Sequence, residues 1–144
     1  MKIAICASIQ MTPKIKEIAE ELEKQGHEIL IPVTAKRILD GKLTLEQFLK
    51  EKDKNGDGAF RKIKYDAIRG YYEKIKKMDA VLVLNTEKNN IKGYIGGNTF
   101  LEMGFAYVLK KPIYLYNDIP DMGYTDEIMA MEPIVLSQKL NKIK

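Results

Sequence analysis

The sequence predicts a three-layer, doubly wound α/β fold, a five-stranded parallel sheet with helices on both faces. Three observations carry that prediction. Short apolar runs alternate with segments of helical period along the whole chain. Several of the runs are apolar at consecutive positions, as in strands covered on both faces. At 144 residues the chain fits one domain, spanning 1–144, that can bury a core without a disulfide or metal.

The elements follow in order. KIAICAS (residues 2–8) is a buried first strand. Thr12 and Pro13 open a helix, with Thr12 as N-cap and Pro13 at the first helical position. Ile15, Ile18, Ala19 and Leu22 form its buried face, and Gly26 stops it. HEILIPV (27–33) is a second strand ended by Pro32. Within 34–55, Leu45, Phe48 and Leu49 suggest a short helix. A longer helix runs from about Ala59 to Met78, and DAVLVLN (79–85) is the clearest strand. A polar loop (86–97), a helix carrying Glu102, the strand PIYLYN (112–117), a short helix near 126–131 and a last strand, PIVLS, complete the chain. In flavodoxin/Rossmann-like sheets of this kind, ligands bind beyond the carboxyl ends of the strands. That singles out the loops 7–11, 85–98 and 117–123.

Composition narrows the function. One cysteine, Cys6, excludes an internal disulfide and suits a reducing compartment. The opening apolar run is too short for a signal peptide, and no stretch nears the ~20 apolar residues of a membrane span. The expected location is cytoplasmic, with no membrane partner. The net charge is +4, but most lysines alternate with glutamates, as on a solvated helix face. RKIKYDAIRGYYEKIKK (61–77) comes nearest to a nucleic-acid surface and reads better as an amphipathic helix.

Several features read as structural. DKNGDG (53–58) resembles the start of a calcium loop, with Asp53, Asn55, Asp57 and Gly58 in place. Position twelve is Lys64 where a bidentate glutamate is required, so a plain turn is expected. With one histidine, His27, and one cysteine no zinc site can form, and no metal or cofactor is expected. Cys6 is read as core, the tyrosines as mostly core or rim, and Met103, Met129 and Met131 as packing.

Glu102 is the residue out of place. It stands among Phe100, Leu101, Met103 and Phe105, behind Gly96 and Gly97. TFLE fits S/T-x-x-E, a capping box in which Thr99 caps the helix and Glu102 reaches back. A carboxylate in an apolar cleft, with glycines that let backbone approach a ligand, equally suits nucleophilic or acid–base work. The two readings are compatible.

The order strand, polar loop, small-residue turn, E-x-G-x-A-x-x-x-x-K-P-I and strand resembles the nucleoside 2-deoxyribosyltransferase superfamily, which includes nucleoside 5'-monophosphate N-glycosidases. The resemblance is strongest over 79–116, and CASI near the start is similar to the family's CGSI. It implies a glutamate nucleophile at Glu102. It also implies contacts to sugar or phosphate from the loop holding Ser8 and Ile9. Glu102, Ser8 and Asn85 all follow or border strands expected to be neighbours, so Glu102 is expected in a cleft near Ser8 and Asn85. Asn85, Gly96, Gly97, Asn98 and Thr99 are the remaining candidate substrate-binding residues. This chain departs from the family in four places. Tyr71 stands where an aspartate is usual, and Ala4 where an aromatic is common. Ala7 replaces a glycine, and Gln10 an arginine of the nucleotide hydrolases. Tyr71 becomes the candidate proton donor, although an ordinary phenol near pKa 10 is a poor acid at neutral pH. IGGNTFLE also resembles the P-G-G-x-G-T-x-x-E of cytokinin-activating phosphoribohydrolases, less one residue and the proline.

The expected function is therefore cleavage or transfer at the N-glycosidic bond of a nucleoside or nucleoside monophosphate. The alternative is a nucleotide-binding module that kept the cleft and lost turnover. A homodimer or larger homo-oligomer is expected, because the helix TFLEMGFAYVL is apolar on nearly all sides.

Overall fold

The computed structural model describes residues 1–54 and 58–144, with side chains described for 1–51 and 67–144. The calcium-like turn, with Lys64, and the first part of the 61–77 basic segment therefore lie outside the described side chains.

Five strands form one parallel sheet: β1 (Lys2–Cys6), β2 (Glu28–Leu30), β3 (Ala80–Val83), β4 (Ile113–Leu115) and β5 (Ile134–Val135). Their order is β2-β1-β3-β4-β5, so chain direction across the sheet reverses between β1 and β3. The helices are α1 (Thr12–Lys24), α2 (Val33–Leu39), α3 (Leu45–Lys54), α4 (Gly58–Ile75), α5 (Gly97–Val108) and α6 (Thr125–Ala130). This is the doubly wound α/β fold that the alternating runs predict.

Side-chain alternation along each strand builds the two cores. Ile3 and Ile5 of β1, Leu82 of β3 and Tyr114 of β4 face one side, against Ile15, Ile18 and Leu22 of α1. Ala4 and Cys6, Val81 and Val83, and Ile113 and Leu115 face the other, against α4, α5 and α6.

Local boundaries differ from the expectations where hydrogen bonding, rather than composition, decides. Thr12 does not cap α1. A 3-10 turn at Ile9–Met11 precedes the helix, Met11 is the N-cap, and the Thr12 hydroxyl donates back to the Ile9 carbonyl at 2.6 Å. Gly26 (φ 89°) ends α1 in a Schellman arrangement, His27 N–H to Leu22 C=O at 3.1 Å and Gly26 N–H to Glu23 C=O at 2.9 Å. Pro32 ends the second strand as expected but also serves as N-cap of α2, a helix the sequence reading lacks. Met129 is exposed rather than packed.

Candidate active site

The α5 helix decides how Glu102 is to be read. It begins at Gly97 with Gly96 as N-cap, and no side chain caps it. Thr99 is thus the third helical residue and Glu102 the sixth. The capping box at TFLE does not exist, and Glu102 has no capping role. A capping box of this type does form elsewhere, at TLEQ. There the Thr44 hydroxyl accepts from Gln47 N–H and the Gln47 side-chain Oε1 accepts from Thr44 N–H, each at 3.0 Å.

Thr99, Met103 and Ala106 are buried and form the stripe with which α5 packs against the sheet. Glu102, three residues from Thr99 and four from Ala106, borders that stripe and is partly exposed. Its carboxyl group lies near the end of β1, beside the Cys6 thiol. Burial pushes the Glu102 carboxyl up from an ordinary 4.5 to about 8, and the Cys6 thiol opposes that rise. Burial and the neighbouring Glu102 push the Cys6 thiol well above its usual range. Glu102 is therefore the group here that ionises first.

Tyr71 of α4 reaches the same place. Burial, then Cys6, then Glu102 push its phenol well above the usual range. Its hydroxyl donates to the main-chain carbonyl of Ile5. The β1–β2 ladder ends at the Ala4–Leu30 pair, and the Cys6 carbonyl turns the other way, toward Leu84 N–H. Tyr71 thus satisfies a carbonyl that the short β2 leaves open, and its proton is engaged there.

The other candidates separate into groups. Ser8 is exposed two residues past Cys6, at the start of the 3-10 turn, and its carbonyl accepts from Met11 N–H at 2.9 Å. The Ile9 side chain packs into the α1 core, on the opposite face from Glu102, so only its backbone can serve the cleft. Gly97 and Asn98 are exposed in the first turn of α5. A Cβ at Gly97 would meet nothing, and at Gly96 only the Tyr94 ring edge at 3.7 Å. Packing demands neither glycine, and the space beside them is open. Phe100 stacks on Tyr124 with centroids 4.4 Å apart, and the Tyr124 hydroxyl donates to the Ile95 carbonyl. This makes an aromatic wall at the α5 entrance.

Asn85 is fully buried and its amide is turned inward. Its Nδ2 donates to the carbonyls of Asn117 (3.2 Å) and Asp118 (2.9 Å), and its Oδ1 accepts from Asn117 N–H at 2.9 Å. Asn117 Nδ2 returns a bond to the Asn85 carbonyl at 2.9 Å. Asn85 is thus a clamp between the loops that follow β3 and β4. Gly93 (φ +71°) lies against the same junction. A Cβ there would sit 2.5 Å from the Asp118 carbonyl oxygen, so this position admits only glycine. Beside the clamp, Glu87, Lys92, Asp118, Ile119 and Gln138 line an open cleft of about 440 Å³.

Cys6, Gly93 and Asn117 are absent from the sequence-derived candidates. Strand alternation does carry a signal for Cys6, since it shares the phase of Ala4 and lies on the face that receives α5. Nothing local marks Gly93 or Asn117. Among the described residues no cluster of three His, Cys, Asp or Glu side chains gathers to hold a metal, and no helix is long and apolar enough to cross a membrane.

No family model matches the chain, and no curated protein does. The structure is similar to that of a 2-deoxyribosyltransferase from the psychrotolerant bacterium Bacillus psychrosaccharolyticus. Identity is 20%, 80% of this chain and 71% of that one are covered, and the TM-score is 0.47. It is also similar to the Clostridium botulinum CMP N-glycosidase BcmB, with 15% identity, 94% of this chain and 85% of that one covered, and a TM-score of 0.47.

Proposed function

We propose that the chain, acting as one domain in the cytoplasm, cleaves or transfers at the N-glycosidic bond of a nucleoside or nucleoside monophosphate, with Glu102 as nucleophile. One observation carries this reading: a glutamate with no capping role is held beside the buried stripe of α5 and faces the carboxyl end of β1, where strand order reverses. In this mechanism the ionised carboxylate attacks the anomeric carbon. The C–N bond breaks and the base leaves with the bonding electron pair. Water or a second base then displaces the carboxylate from the sugar. No cofactor enters these steps. The open first turn of α5 at Gly96, Gly97 and Asn98, with Thr99 beneath it and Ser8 and the Ile9 backbone opposite, would receive the sugar or its phosphate. Asn85 frames the entrance, and the Phe100–Tyr124 wall offers a face to the base.

One observation favours the second reading, a binding module with little turnover. The Tyr71 proton is engaged by the Ile5 carbonyl, so this tyrosine is not free to protonate the departing base. Base release from a panel of nucleosides and nucleoside monophosphates, run beside thermal-shift binding to the same compounds, separates the two. The enzyme reading expects release whose pre-plateau rate climbs about tenfold per pH unit and levels near pH 8, where Glu102 completes its ionisation. Binding without release across the panel would establish the module instead.

The chain is also proposed to self-associate through α5. Leu101, Tyr107 and Val108 are 46%, 52% and 78% exposed on that helix, more apolar surface than a free helix face needs. Light scattering at micromolar concentration should give at least a dimer mass, and a monomer there would refute it.

A further inference from the structure

We infer that Tyr124 is a positioning residue for the glycine turn at the mouth of α5. It grips the turn on both sides, by its hydroxyl before the two glycines and by its ring after them, and so fixes the opening that receives the ligand. The inference deepens the proposed function and rests on it, because it takes Gly96, Gly97 and Asn98 as the place where the sugar or its phosphate binds.

The turn has little to hold it from within. Gly96 is the N-cap of α5, Gly97 is its first residue, and among the described residues no side chain caps the helix. Glycine lacks the Cβ that narrows backbone freedom, so two in succession leave the chain free to swing. Close packing does not lock them either, since a Cβ at Gly97 would have open space around it. The bond from Phe100 N–H to the Gly96 carbonyl, at 2.9 Å, closes the first turn of the helix over this stretch.

Tyr124 supplies the hold from outside. Its hydroxyl donates to the carbonyl of Ile95, a buried residue directly before Gly96. Its ring stacks on Phe100, with centroids 4.4 Å apart and an interplanar angle of 26°. One side chain therefore touches the residues at either end of the stretch 96–99. Its own backbone is seated. Tyr124 is the N-cap of α6, and the adjacent Thr125 hydroxyl donates to the Pro120 carbonyl at 2.7 Å and accepts from Met122 N–H at 2.8 Å. The hold crosses from the loop after β4 to the loop after β3, so it ties two sides of the cleft together. A turn fixed before the ligand arrives avoids the ordering that a loose turn undergoes on binding, and the effect is read in affinity.

Two variants separate the contacts. Tyr124→Phe keeps the ring and removes the hydroxyl, while Tyr124→Leu removes both. Amide hydrogen exchange followed by NMR reads the turn without a ligand. The Phe100 amide should exchange roughly three- to tenfold faster in Tyr124→Phe, as expected for one lost hydrogen bond, and faster still in Tyr124→Leu. The Leu84 amide, bonded to the Cys6 carbonyl at 3.0 Å in the sheet, should keep its wild-type rate in Tyr124→Phe. Cytidine and adenosine 5'-monophosphates, titrated into the folded proteins well below their melting temperatures, should bind more weakly by the same factor. On a compound that is cleaved, KM should rise more than kcat falls. An unchanged Phe100 rate in Tyr124→Phe overturns the inference. Faster exchange with wild-type affinity overturns it too, because Tyr124 would then stabilise the fold without shaping the site. If Tyr124→Leu does not fold, Tyr124→Phe decides alone. Absence of both binding and base release across the nucleoside and nucleotide panel would sink the proposed function, while the exchange rates would still decide whether Tyr124 holds the turn.

Discussion

Glu102→Gln is expected to abolish base release by several orders of magnitude while making the protein more stable at alkaline pH. Glutamine keeps the shape of the side chain but cannot attack as an anion. The stability effect follows from the titration. Glu102 holds its proton to about pH 8 when folded, against an ordinary 4.5 when unfolded. Between those values the folded state binds the extra proton, so this group's contribution falls as pH rises and levels above about pH 8. Allowing for the partial exposure of Glu102, the loss is on the order of 2–4 kcal/mol. The glutamine variant escapes it. Its Tm should exceed that of wild type by roughly 5 °C at pH 8, and the gap should close by pH 5. Two results would end the reading: wild-type turnover in the glutamine variant on a compound the enzyme cleaves, or a Tm difference that ignores pH.

Asn85→Ala is expected to be the most destabilising of the single changes at the candidate residues, at about 3 kcal/mol or more. It removes two donated bonds and one accepted bond, and leaves the Asn117 amide and two main-chain carbonyls to find other partners. Urea or thermal unfolding measures the loss. Asn85→Asp should do no better, because it keeps the acceptor for Asn117 but turns an oxygen toward two carbonyl oxygens. With the clamp gone, residues 86–96 and 117–119 lose their tie, so any base release should fall as well. An alanine variant within ~1 kcal/mol of wild type would show that the loops are held by other contacts.

Two stretches show how far local pattern reaches. TFLE and TLEQ both fit the capping-box pattern, yet only Thr44 and Gln47 make the reciprocal bonds. In α5 the helix starts earlier, at the glycines, because the backbone there is free to turn into the helix before Thr99. The pattern could not say which, since the start of a helix depends on the path of the chain into it. The helix α2 was likewise illegible. It is short, with only Ala35 fully buried, and it stands behind a proline that reads as a strand end.

The sequence by itself determined the α/β class, the parallel sheet, the position of nearly every long element and the singular glutamate in α5. Those follow from periodicity and composition, which act over a few residues and survive whatever the chain does elsewhere. It also showed Cys6 as buried. Only the tertiary structure decided what each buried polar group faces. Glu102 lies beside Cys6, Tyr71 donates a hydrogen bond to the Ile5 carbonyl, and Asn85 clamps Asn117 and Asp118. Each pair joins residues far apart in the chain. Periodicity assigns a residue to a face, while hydrogen-bond partners and desolvation depend on what the fold packs against that face. The raised pKa of Glu102, and with it the chemistry proposed here, belongs to that second kind of information.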